Sequence, residues 1–420
     1  MALRPTPGSD TVALRRSVSL WLLTFYGLGN ILGAGIYVLV GKVAGAAGYH
    51  APLAFVVALL ITVLTALSYS ELAGRLPYAA GEAVYIQRAF GRPALSAGIG
   101  ALIALAGLVS AAALARGFAS YLEVFVDWPA ALSITTLVMA LGAIAAWGVR
   151  ESMRLAAVIT VIEIGGLALI LWTVRAELGE LPGRAHLLVP GGGWTEWQGI
   201  LLGAFLAFYA FIGFEDMVNM AEEVRRPARN MPLAILLALG AAAVLYILVA
   251  VGAVLAVAPE ALAQTTAPLA LVYREASGAE PRAIAMIALF ATVNGVLAQI
   301  MMAARVLYGM SRQGWLPGML GRVHPRTRTP FPATVIVTAA VLALALMLPV
   351  VTLAGATSLL ILMVFALVNL SLWRIKRRGP APAGVRTWPL AVPALAFLAN
   401  SALIGFAVYA AVLGRGGTIG

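Results

Sequence analysis

Apolar residues run in long unbroken blocks along this chain, and short polar clusters separate them. Eleven blocks reach the length of about 20 residues that a helix needs to cross a bilayer. They fall near 18–42, 51–74, 94–121, 129–149, 154–174, 198–221, 231–257, 283–308, 332–350, 354–373 and 388–413. Backbone groups in hydrocarbon must be satisfied within the segment, so each block is expected to be a helix. The stretch from Ala79 to Pro93 is too polar to span. Its aromatics and arginines alternate at helical spacing, which fits a helix lying along the inner interface. Residues 175–197 read as an outer loop, and 258–281 as a longer outer segment that folds partly helical.

Two blocks carry a fault. "GLGNILGAGIY" (27–37) places Gly27, Gly29, Gly33 and Gly35 in the middle of the first. Each glycine costs a helix interior roughly 1 kcal/mol relative to alanine. "FYAFIGFEDM" (208–217) interrupts the sixth block at Gly213, with Glu215 and Asp216 just after it. Glycine-rich spans also serve close helix packing. Matching interruptions in blocks one and six point further, to two five-helix halves related as an inverted repeat. Breaking a helix at mid-depth frees N–H groups that suit a carboxylate and carbonyls that suit an ammonium. An amino acid zwitterion presents both. The expected organisation is a tail over 1–17, five-helix repeats over 18–174 and 198–373, and an eleventh helix over 388–413.

Composition agrees with the pattern. The chain is 62% hydrophobic with a mean hydropathy of +0.97, whereas soluble domains are nearer 45–50% apolar. The net charge is +11. The arginines sit in short loops and not in one domain, so they report topology and not nucleic acid. With the N-terminus inside, basic residues favour the inner loops by about three to one. An inner (cytoplasmic) membrane location is expected, with the N-terminus inside and the C-terminus outside. The N-terminal 20 residues lack a signal-peptide pattern and read as a cytoplasmic tail.

No enzyme constellation, cofactor or metal site is expected. There is no cysteine, and His50, His186 and His324 share no ligand spacing. The glycine runs come after no strand, and no P-loop lysine is present, which argues against a primary pump.

Four stretches carry a resemblance: "GLGNILGAGIYVLVG" (27–41), "SYSELAGRLPYAAGEAVYIQRAFG" (68–91), "FYAFIGFEDMVNMAEEVRRPARNMP" (208–232), and "ARVLYGMSRQGWLP" (304–317) with "HPRTRTPFPA" (324–333) after it. In this order they resemble the amino acid–polyamine–organocation (APC) superfamily, especially bacterial relatives of the cationic amino acid transporters. The resemblance implies an all-α, leucine-transporter-type fold with broken spans one and six, working by alternating access. It places a substrate carboxylate against Ile31, Gly33, Ala34 and Gly35, and an ammonium against the carbonyls of Tyr209, Ala210 and Ile212 beside Gly213. Phe211 and Phe214 become gating or wall aromatics. Many relatives carry Ser or Thr at the position of Ala34. The family commonly has twelve spans, one more than expected here.

The charged residues divide. Glu71 and Glu82, with Arg75 and Arg88, suit surface pairing or an inner gate. Arg305 snorkels or pairs with a loop acid. Glu222 and Glu223 anchor the loop after span six. Glu215 and Asp216 either cap the second half-helix or couple an ion. Glu163 lies nine residues past Arg154, about 13 Å into span five. The resemblance puts it where many relatives carry a lysine beside the unwound first span, and the charge sign is reversed. Glu163 is therefore expected to be neutral in one access state and to release its proton in the other. The alternatives are a static bridge between helices and a ligand to a metal cation.

The expected function is secondary amino acid transport, by proton-coupled symport. Its partners are the amino acid, the proton and the lipid bilayer, with no obligatory protein partner. An exchanger, a polyamine carrier, or a sensor or channel of the same fold are the alternatives. A polyamine would require acids in the pocket.

Overall fold

The structure, a computed structural model, describes residues 14–33, 35–123, 125–265, 267–347 and 351–412, without the side chains of Val38, 351–359, Ala407 and 410–412. Among these residues the regular structure is helical, apart from one isolated bridge between Val18 and Val224.

The first block folds as two helices, α1 (Leu20–Leu32) and α2 (Gly35–Ala47). Ser19 starts α1 by accepting the Leu22 N–H at 3.3 Å, as N-cap serines do. α3 (Ala51–Arg75) returns with Pro52 in its first turn, where the missing N–H costs nothing. α4 (Gly81–Phe90) is the expected short helix, ended by Gly91 at φ 67°. α5 (Pro93–Glu123), α6 (Ala130–Trp147) and α7 (Val149–Thr173) follow. The loop at 175–197 holds two short helices, α8 (Arg175–Gly179) and α9 (Leu181–Arg184).

α10 (Trp194–Ala210) stops at the second interruption. Beyond the break, Glu215–Glu223 form a 3-10 helix and not an α-helix. α11 (Pro227–Ala256) is next, and the long outer segment folds as α12 (Pro259–Gln264) and α13 (Pro268–Ser277). α14 (Arg282–Arg312), α15 (Phe331–Met347), α16 (Val351–Arg378) and α17 (Ala391–Val412) close the chain. Eight helical segments are long and apolar enough to cross a membrane among the described residues, and α15 and the first part of α17 are shorter apolar helices.

Packing places the broken helices at the centre. α1 lies against α7, α11 and α14, while α2 packs on α10 and α3. Lipid tails are as apolar as leucine, so van der Waals packing and interhelical polar contacts must hold such a bundle. Three buried ion pairs, two of them sharing Glu71, do so at the arginine-rich end. Arg305 of α14 donates to both oxygens of Glu223, at 2.7 and 3.2 Å, with both side chains at 0% exposure. Glu71 of α3 accepts from Arg75 at 2.7 Å and from Lys376 of α16 at 2.8 Å. It also takes the Trp388 backbone N–H at 2.8 Å. Of the two roles open to Arg305, pairing with a loop acid is the one observed.

Arg305→Ala leaves Glu223 buried without its counter-charge, which typically costs 3–5 kcal/mol. The expected result is a large fall in detergent melting temperature. Arg282→Ala breaks the exposed pair with Glu280, 3.4 Å long, and should cost about 1 kcal/mol or less. Equal losses in the two variants would contradict this ranking.

Candidate substrate site

The two interruptions meet. Gly213 has φ 128°, and a Cβ there would lie 2.9 Å from the Asn30 carbonyl and 3.0 Å from Ile31 N. Only glycine offers this backbone conformation and this close approach together. The Asn30 amide ties the junction, donating to the Gly213 carbonyl at 2.9 Å and to Asp216 Oδ2 at 2.6 Å. Gln299 of α14 donates to the same Asp216 oxygen at 2.7 Å. Asp216 thus links α1, the 3-10 helix after the break and α14. Glu215 Oε2 accepts the Gly213 N–H at 2.7 Å, so it caps the break locally.

The freed backbone groups are largely accounted for. Tyr246 of α11 donates to the Ile31 carbonyl at 2.6 Å. The Gly33 N–H donates to Gly29 O at 3.0 Å, and the Ile212 N–H to Tyr209 O at 3.2 Å. Gly35 opens α2, where the first N–H groups have no intrahelical acceptor. Its position is 3.7 Å from Ala210 Cα, measured from an added Cβ. Ala34 lies outside the described residues.

A narrow cavity opens beside this junction. Glu82, Glu215, Asp216 and Gln299 form its polar wall, with Tyr69 and Tyr209. α5 and α16 supply apolar surface, including Ile103, Ile361 and Phe365. No Lys, Arg or His lines it among the described residues. Of the residues proposed from the sequence, Tyr209 and Ile212 reach this cavity. Ile31, Gly33, Gly35 and Ala210 sit at the junction itself and do not line it. Phe211 is buried in an aromatic contact with Phe55 and Tyr246, and Phe214 in one with Tyr69 and Phe365. Neither lines the cavity.

Glu163 is on the far side of α1, wholly buried. The Asn294 amide lies 3.2 and 3.4 Å from its two oxygens and 3.2 Å from Thr160 Oγ1. The Thr160 hydroxyl is 2.8 Å from Ala156 O and 3.0 Å from Phe25 O of α1. A Cβ at Gly29 would strike Thr160 and Asn294. The glycine lets this cluster touch the first span. No group of three potential ligands that could hold a metal is found among the described residues.

The sequence pattern does not reveal the place of Glu82. It is buried and does not pair with Arg88, and its Oε2 has no hydrogen-bond partner. Ala80 at φ 56° turns the chain, and Asn219 catches the Gly81 N–H at 3.1 Å, so α4 starts with Glu82 facing inward. Burial, reinforced by the nearby Asp216 charge, pushes its carboxyl up to about 8. Unfolded Glu82 ionises near 4.5. The folded state therefore holds an extra proton between these values, and stability falls as pH rises through that window. Glu82→Gln is expected to flatten the decline in melting temperature between about pH 5 and pH 8. An unchanged slope would show that Glu82 does not titrate there.

Two broken helices meet beside a polar cavity inside an apolar helical bundle, an arrangement that suits a membrane transporter. A family described as amino acid permease matches residues 18–417. The chain belongs to this amino acid permease family, within the APC superfamily. An uncharacterized transporter of Mycobacterium tuberculosis is 33% identical over 367 residues, covering 85% of this chain and 80% of that protein. A branched-chain amino acid permease of Bacillus subtilis is 28% identical over 395 residues, 89% of this chain and 83% of the permease. A methylthioribose transporter of Bacillus subtilis is 28% identical over 394 residues, 89% and 84% of the two chains.

Proposed function

We propose that this protein is a secondary active transporter of amino acids across the cytoplasmic membrane, coupled to protons and working by alternating access. The observation that carries the reading is the contact between the two helix breaks, Gly213 against Asn30 and Ile31, with the cavity beside it. The relatives' names support amino acids as the substrate class. Eleven spans in a five-plus-five arrangement, with the N-terminus inside, complete the proposal. The amine meets the acidic wall of the cavity, and the carboxylate is directed toward the junction, at the start of α2. Glu163 carries the coupling proton.

Glu82, Glu215 and Asp216 on one wall, with no basic residue opposite among the described residues, favour a second reading. Three acids suit a substrate with an extra amine, such as a basic amino acid or a polyamine. A thermal-shift screen against common amino acids and polyamines separates the two. Labelled counterflow in liposomes then tests the carrier itself. Trans-stimulation is expected, and its absence would point to a channel or sensor. Uptake that collapses when choline replaces sodium, at fixed pH gradient, would overturn proton coupling.

A further inference from the structure

At the arginine-rich end, two adjoining surface concavities share Ser17, Arg150 and Arg225. Together they form one groove. Arg15, Arg150, Arg154, Arg225, Arg326 and Arg328 line it, against a single acid among the described residues, Glu151. The far part of the groove is apolar, built from Leu22, Phe25 and Ala157. Trp21 and Trp147 flank it at 64% and 72% exposure, as indoles do at a membrane interface. Positive charge at one end of a bundle is ordinary topology. Guanidinium groups gathered in a concave site that continues into an apolar slot are not required by topology.

We propose that this groove binds an anionic phospholipid, its phosphodiester on the arginines and an acyl chain along Leu22, Phe25 and Ala157. Arginine forks match phosphate oxygens in pairs, and the apolar slot distinguishes a lipid from free phosphate. The walls come from the segment before α1, the start of α7, the segment after the 3-10 helix, and the α14–α15 connection. Val18 is already bonded to Glu223 O at 3.0 Å and to the Arg225 N–H at 2.9 Å. A bound lipid therefore ties together the ends of the elements that carry Asn30, Glu163 and Asp216.

The test titrates phosphatidylglycerol into phosphatidylcholine nanodiscs holding the full chain, with melting temperature and native mass spectrometry as readouts. Arg150→Gln/Arg225→Gln/Arg326→Gln is compared with Arg92→Gln/Arg322→Gln/Arg377→Gln, which removes the same charge from the same end outside the groove. At about fivefold per arginine the groove variant should lose roughly a hundredfold, and the control, which removes no arginine in contact with the phosphodiester, should lose clearly less. Ala157→Trp fills the apolar slot without changing charge and should also release the lipid. Equal losses in the two triple variants would reduce the effect to long-range attraction and overturn the site. So would unaltered lipid retention in Ala157→Trp. Inorganic phosphate in pure phosphatidylcholine should not stabilise the protein, and stabilisation equal to that by phosphatidylglycerol would overturn the lipid as occupant. The inference rests on the proposed orientation only for the leaflet involved. Nanodiscs carry lipid in both leaflets, so failure here is distinct from failure of that orientation.

Discussion

Gly213→Leu is expected to abolish substrate binding while leaving a membrane-inserted protein. A side chain at φ 128° is strained, and its Cβ would sit 2.9 Å from the Asn30 carbonyl. Strain and overpacking each cost about 1–3 kcal/mol. The break can relieve both by moving away from α1, which separates Asn30 from Gly213 and Asp216. An affinity loss of at least about 100-fold is expected, equivalent to ~2.7 kcal/mol. Gly33→Leu should also impair binding, through loss of backbone access. Its added Cβ meets only Asn30 O, at 3.4 Å, so the steric effect concentrates at Gly213. Loss of the thermal shift seen with the best amino acid would check this. Binding retained at near-native affinity in Gly213→Leu would remove the claim that the junction forms the site.

Glu163→Gln is expected to separate binding from coupling. Glutamine keeps the shape and fixes a neutral side chain beside Asn294. Substrate affinity should stay within about threefold, ~0.65 kcal/mol, because Glu163 does not line the cavity. Accumulation driven by an inward proton gradient should disappear, while counterflow persists. The physical reason is the placement. Glu163, Asn294 and Thr160 form one hydrogen-bonded cluster against Phe25 and Gly29, so a change of charge acts on the first span directly. Concentrative uptake with the native pH profile in this variant would leave Glu163 as a static bridge.

The helices are legible in the sequence because hydrocarbon forces long apolar blocks, and α3, α5, α11 and α14 appear close to where those blocks lie. The breaks are legible because glycine has a local cost wherever it stands in a helix. Facing is not legible. α11 is apolar on every side, and nothing in its sequence announces that Tyr246 reaches the Ile31 carbonyl. A helix hydrophobic all round carries no directional signal. The same holds for the α5 and α16 walls of the cavity. Glu82 escapes for a different reason. Arginines on both sides in sequence suggest exposed pairing, whereas the turn at Ala80 and Gly81 swings it inward. The second half of span six also escapes, since "EDMVNMAEE" gives no cue that separates a 3-10 helix from an α-helix. Asn30 and Asn294 are visible as polar residues within spans, but their partners lie 183 and 131 residues away in sequence.

The central claim is that substrate binds where the two broken helices meet. An experimental structure with the amino acid or amine giving the largest thermal shift tests it most directly. Ligand density is expected in the cavity beside Gly213, with an amine within hydrogen-bonding distance of Asp216, Glu215 or Glu82. For an amino acid, the carboxylate should be directed at Gly35. Density bound elsewhere, with this cavity closed and Asn30 still joined to Gly213 and Asp216, would contradict the claim.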